Sequence, residues 1–127
     1  MVAEKQRAYL GALAQLIRSR WESRIGPPLD VRTERIMPDP DGGTYLADIV
    51  LQRPTDHLPL VVFEVRSPGT PPGETEKALR RLLDTRKSIE LLGGKRPTIV
   101  LIVARGHEAE GGQIIEAVSD EIELEAA

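Results

Sequence analysis

The chain of 127 residues is long enough for one domain with a moderate core and too short for two. Its 40% apolar and 29% charged content is that of an ordinary globular protein, and no apolar run approaches the ~20 residues that span a bilayer. There is no cysteine, which excludes disulfides and thiolate metal sites, and with 3% aromatics the core must be aliphatic.

The first element is a helix from Glu4 to Arg24, where Leu10, Leu13, Ile17 and Trp21 recur at spacings of three and four. An opening with Glu4, Lys5 and Arg7 is not that of a secretory signal, so the cytoplasm is the expected location. Gly26-Pro27-Pro28 ends the helix, since proline cannot continue the ladder. Leu29 to Ile36 reads as a strand, the Pro38–Gly43 stretch as a turn, and Tyr45 to Leu51 as the second strand of a hairpin. After a turn at 53–56, Leu58 to Val65 is apolar enough to be a central strand buried on both faces.

Ser67 to Gly73 is a loop, and Glu74 to Leu92 a second helix with Leu79, Leu82, Leu83 and Ile89 on its apolar side and Gly93-Gly94 as its stop. Thr98 to Ala104 is another buried strand. A strand, a helix and a strand in that order predict a right-handed crossover and parallel pairing. From His107 to Ala127 the apolar spacing fits helix and strand equally. The order is α-β-β-β-α-β.

Charge is distributed unevenly. All 17 Lys and Arg lie in residues 1–107, against 13 acids, while residues 108–127 hold seven acids and no base. A basic body with an acidic tail suits contact with an anion, and a solubilising C-terminal segment explains it equally well.

Two acids interrupt apolar strands. Asp48 stands among Leu46, Ala47, Ile49, Val50 and Leu51, and Glu64 sits at the carboxyl end of the third strand with Arg66 on the same face. A charge inside a buried strand is costly unless it is paired or holds a metal. Two carboxylates at ~5 Å repel by ~3 kcal/mol at an effective dielectric near ~20. A hard cation such as Mg²⁺ removes that repulsion, and it can polarise a phosphoryl oxygen and acidify a bound water. The alternative is structural pairing: Asp48 with Arg66, or Glu64 with Arg35 or Arg53.

The strand order, Leu46-Ala47-Asp48-Ile49-Val50-Leu51 and the ending Glu64-Val65-Arg66 together resemble the PD-(D/E)XK nuclease superfamily over roughly residues 5–105. The stretch Val62-Phe63-Glu64-Val65-Arg66-Ser67-Pro68-Gly69-Thr70 is similar to the Glu-Val-x-Ser-Pro run of an uncharacterised-endonuclease branch common in cyanobacteria. The resemblance implies a single α/β domain, residues 1–127, with a restriction-endonuclease-like αβββαβ core and a mixed central sheet flanked by helices. It also implies Asp48 and Glu64 as ligands of Mg²⁺ or Mn²⁺, and DNA as substrate.

Two departures from the pattern stand out. Ala47 replaces the common proline, and Arg66 stands where the motif has lysine. Arginine stays protonated and cannot act as a base, though its fork can hold a phosphate. In some branches the lysine sits on the following helix, and Lys77 is then the candidate, with Arg66 as a phosphate or carboxylate clamp. The alternative for Lys77 is a solvated surface residue.

Arg80, Arg81 and Lys87 on the polar face of the second helix are candidate phosphate-backbone contacts, and a solvated helix face is their bland explanation. So short a chain has no room for its own sequence-reading domain, so a homodimer or a larger complex is expected. Zinc is not expected, as His57 and His107 lack partners at metal spacing, and neither a phosphate-binding P-loop nor a nucleophile elbow is present.

Overall fold

Alternating burial along the strands sorts the side chains to two sides of one sheet. The computed structural model describes residues 4–55, 57–91 and 95–127, with side chains from Arg7 on. Its elements are α1 (Glu4–Ile25), β1 (Asp30–Pro38), β2 (Thr44–Gln52), β3 (Pro59–Val65), α2 (Pro72–Leu91), β4 (Thr98–Val103), α3 (Glu108–Val118) and β5 (Glu123–Ala126). The Gly93-Gly94 stop and Asp56 lie outside the described residues.

The five strands are ordered β1-β2-β3-β4-β5. β1, β2 and β3 pair antiparallel, and β3, β4 and β5 pair parallel. The result is an α/β protein with a mixed sheet. On one face α1 buries Leu10, Leu13, Ala14, Ile17 and Trp21 against Ile49, Leu51, Val61 and Phe63. Trp21 meets Phe63 edge-on, with ring centroids 5.8 Å apart. On the other face Leu79, Leu82 and Ile89 of α2 and Ile114 of α3 cover Val50, Val62, Ile99 and Leu101. Among the described residues no helix is long and apolar enough to cross a membrane.

The segment that periodicity left open is a helix followed by an edge strand. Gly111 lets them close on each other: a Cβ there would come within 2.7 Å of Leu124 Cδ1 and 2.9 Å of Val103 Cγ1. Four of the seven acids in this segment pair with arginines of the body. Glu123 holds Arg24 at 3.0 Å, Glu125 lies 3.7 Å from Arg20, Glu121 bridges Arg86 and Arg96, and Glu110 holds Arg66. The segment is therefore no free solubilising tail. Its charge neutralises the basic body from within.

One irregularity positions the site. Ile49 and Leu51 of β2 pack on the α1 side, as does Val31 of β1. Tyr45 and Ala47, also at odd positions, pack on the α2 side with Met37. Side-chain alternation thus breaks at Asp48. Across the hairpin, the register pairs Thr33 with Ile49 and Arg35 with Ala47, and Glu34 between them adopts φ of +50°. A left-handed residue in a strand rotates the chain locally. The outer half of the hairpin is turned toward α2, where the Tyr45 and Thr85 hydroxyls meet at 2.6 Å.

Candidate functional site

β2 and β3 pair with Ile49 opposite Phe63, so one step further along the same register Asp48 faces Glu64. Both side chains are part-buried and line one depression of about 270 Å³ together with Arg66, Ser67, Thr70, Glu74 and Thr75. Asp48 is held in place: its Oδ2 accepts the Val65 main-chain N–H at 2.8 Å. The depression opens at the end of β3, where β3 hands over to the loop before α2.

Burial raises the pKa of Glu64, and the neighbouring Asp48 raises it further, to about 8, with Arg81 acting in the opposite direction. Asp48 is raised too, chiefly by burial and also by Glu34, while the Val65 N–H works against the shift. Each carboxyl thus holds its proton more tightly than in water. A cation is the other means of relieving the same cost.

The structural pairing weighed from the sequence is overturned. Arg35 donates to the His57 carbonyl at 2.9 Å, and Arg53 donates to the carbonyls of Ile25, Gly26 and Pro28. Arg66 donates to Thr75 Oγ1 at 2.7 Å and to the Thr70 carbonyl at 2.6 Å, and it also pairs with Glu110. Among the described residues neither Asp48 nor Glu64 forms an ion pair.

Arg66 therefore does not serve as a free clamp. Its side chain is only 4% exposed, and its N–H groups tie the 67–71 loop and the first turn of α2 to α3. Lys77 is also placed differently from expectation. The helix starts at Pro72, two residues before the predicted Glu74, and this turns Thr75 toward the acids. Lys77, ~200° further around the helix, lies in the second turn. It is exposed and lines a neighbouring depression with Asp39, Pro40 and Asp41. The structure brings together Asp48, Glu64 and Arg66 and leaves Lys77 beside them.

The proposed backbone contacts also lie outside the acidic depression. Arg80 is exposed, 3.6 Å from Glu76, and donates to the Ala117 carbonyl. Arg81 lies 3.6 Å from Asp39 with its guanidinium over the Tyr45 ring. Lys87 is exposed near the far end of α2, where it lines a third depression.

No family model, no curated protein and no solved structure matches the chain.

Sequence reasoning passed over Glu74, which lines the acidic depression from the first turn of α2. Its place directly after the loop that follows Glu64 was a usable signal. Arg86 was passed over as well. The buried series Thr75, Leu79, Leu82, Arg86 and Ile89 advances by three and four, so its spacing already set Arg86 in the apolar stripe.

A divalent cation can be tested against these donors. Two carboxylates at the wall of a solvent-open depression suit Mg²⁺, which binds through one or two carboxylates and keeps several waters. Among the described residues no group of three or more His, Cys, Asp or Glu side chains is placed to hold a metal ion. The donor set fits a water-rich hard cation and does not fit a structural metal.

Proposed function

We propose that the chain is a Mg²⁺- or Mn²⁺-dependent DNA endonuclease of the PD-(D/E)XK kind, hydrolysing phosphodiester bonds in a defence, repair or mobile-element system. The observation that supports it is the facing of Asp48 and Glu64, neither in an ion pair among the described residues, in a depression open to solvent. The order from α1 through β4 is that of the restriction-endonuclease-like core.

Asp48 and Glu64 would hold the cation. A cation held there would supply polarisation of a phosphoryl oxygen and a lowered pKa of water. The Val65 N–H fixes one oxygen of Asp48 and leaves the other for binding. Arg66 holds the 67–71 loop and the first turn of α2, and with them Ser67, Thr70 and Glu74, around the depression. Glu74 is the carboxylate left to take the proton of the attacking water, as the water oxygen bonds to phosphorus and the leaving oxygen departs. A second copy or a larger cytoplasmic complex supplies target selection.

A specific observation favours a second reading, a catalytically inactive nuclease-fold domain that binds nucleic acid or assembles with protein. Among the described residues no lysine lines the acidic depression, and Arg66 is engaged internally. One experiment separates the two. Plasmid nicking is measured with Mg²⁺ and Mn²⁺ for the wild type, Asp48→Ala, Glu64→Ala and Glu74→Gln, alongside Mn²⁺ calorimetry. Nicking lost in all three variants, with Mn²⁺ binding kept in Glu74→Gln, supports the enzyme. Neither Mn²⁺ binding nor cleavage in the wild type supports the module.

A further inference from the structure

A depression of about 340 Å³ lies toward the other end of α2, and among the described residues its charged lining is Arg80, Arg86, Lys87 and Arg96 with Asp84 and Glu121. Arg86 and the Thr75 of the acidic depression lie on nearly the same side of the helix, ~16 Å apart along its axis.

The core of this site is built from two arginines and one carboxylate. Arg86 donates to one oxygen of Glu121 at 3.0 Å and Arg96 to the other at 2.8 Å. Arg96 also lies 3.2 Å from Glu90. The two arginines thus converge on one small oxyanion, each taking a different oxygen. That is how paired guanidinium groups hold a phosphate.

The partners differ in freedom. The Arg86 side chain is 9% exposed and packed into the α2 face, whereas Glu121 is 48% exposed in the turn before β5. Glu121 can swing into solvent, and Arg86 cannot. A buried guanidinium without an anion is costly, so the departure of Glu121 calls for another anion in its place. With Glu121 removed, Arg96 keeps Glu90 at 3.2 Å and Arg80 keeps Glu76 at 3.6 Å, but the buried Arg86 loses its carboxylate.

We infer that this depression is a phosphate-binding site in which Glu121 is the resident, displaceable anion. Arg86 and Arg96 form the clamp, and Arg80 and Lys87 flank it. The phosphate is inorganic or belongs to a nucleic-acid backbone. The backbone alternative rests on the proposed function: a strand leaving the acidic depression would follow the exposed side of α2, past Lys77 and Arg80, and cover ~16 Å of the helix axis, about five nucleotides of one B-form strand.

The test is run in chelator, where cleavage cannot contribute. Thermal shift and calorimetry follow titration with inorganic phosphate, a single-stranded oligonucleotide and a duplex, each matched for ionic strength with NaCl. Phosphate is expected to raise the Tm of the wild type beyond the NaCl control. Glu121→Gln should bind it about tenfold tighter, and Arg96→Ala should lose the response in either background. A response to the oligonucleotides stronger than to inorganic phosphate assigns the site to the backbone, and the reverse assigns it to free phosphate.

A folded Glu121→Gln with no response beyond NaCl overturns the inference and leaves a structural clamp. Should that variant not fold, a wild-type response kept in Arg96→Ala overturns it equally. Phosphate binding in a protein that never cleaves would remove the nuclease reading and leave this site standing.

Discussion

Asp48 of β2 is bonded to the backbone of β3 through the Val65 N–H at 2.8 Å, one residue past the Glu64 that it faces. The same carboxylate therefore joins two strands and carries a charge that its neighbour resists. These roles separate by substitution. Asp48→Asn keeps an oxygen for the Val65 N–H and removes the charge, so at pH 8 it is expected to match or exceed the wild type in stability. Asp48→Ala loses the hydrogen bond as well and should be less stable than Asp48→Asn by about 1 kcal/mol. Urea denaturation of both variants in chelator checks the difference.

Stability is expected to fall as pH rises. Glu64 is pushed up to about 8 by burial and by Asp48, and Asp48 is raised as well. The folded chain then binds more protons than the unfolded chain between the ordinary carboxylate range and about 8. The slope in that window is negative, and stability levels off above it. Between pH 5.5 and 8.5, metal-free protein should lose about 1–3 kcal/mol. Glu64→Gln should remove most of that slope, and Mn²⁺ should restore stability at the alkaline end. A stability that climbs across this window would count against the buried pair.

Arg66 is a strut, and its removal should be felt in folding. Alanine removes the Arg66 donor from Thr75 Oγ1 and the Thr70 carbonyl and leaves Glu110 with His107 alone at 3.4 Å. A loss of about 2–4 kcal/mol is expected, below the full cost of breaking a buried pair because Glu110 is itself part-exposed. Arg66→Lys should cost about 1–3 kcal/mol, since one ammonium cannot reproduce the fork. Proteolysis within 67–75 is expected to accelerate in both variants, and limited digestion checks it.

Gly111→Ala tests the closure of α3 on the sheet. The added methyl meets Val103, which is buried and stiff at χ1, and Leu124, which can move. A loss of about 1–3 kcal/mol is expected from overpacking. A neutral Tm would mean that α3 shifts outward at no cost.

Much of the fold was legible because its causes are local. Leu10, Leu13, Ile17 and Trp21 recur with a helix period and all are buried, and the apolar run ending at Glu64 is the middle strand of five. The Pro38–Gly43 turn was legible from its residues alone: the Asp39 carboxylate accepts the Asp41 N–H, and both glycines take positive φ. That Asp48 and Glu64 stand on neighbouring strands followed from the strand order, whereas the register that sets them opposite each other came only with the structure.

What the chain order could not determine is where long cationic side chains end. Arg66, Arg35 and Arg53 each had an acid within plausible reach, and each instead caps carbonyls or reaches a distant element. A side chain of several rotatable bonds finds its partner only after the elements are packed, so sequence distance says little about it. The same holds for the C-terminal segment. Four of its acids are unpaired in sequence and paired in space, because α3 and β5 bring them to arginines as much as 105 residues away, at Arg20 and Glu125. Local periodicity determined the elements, and tertiary packing decided which charges were left for chemistry.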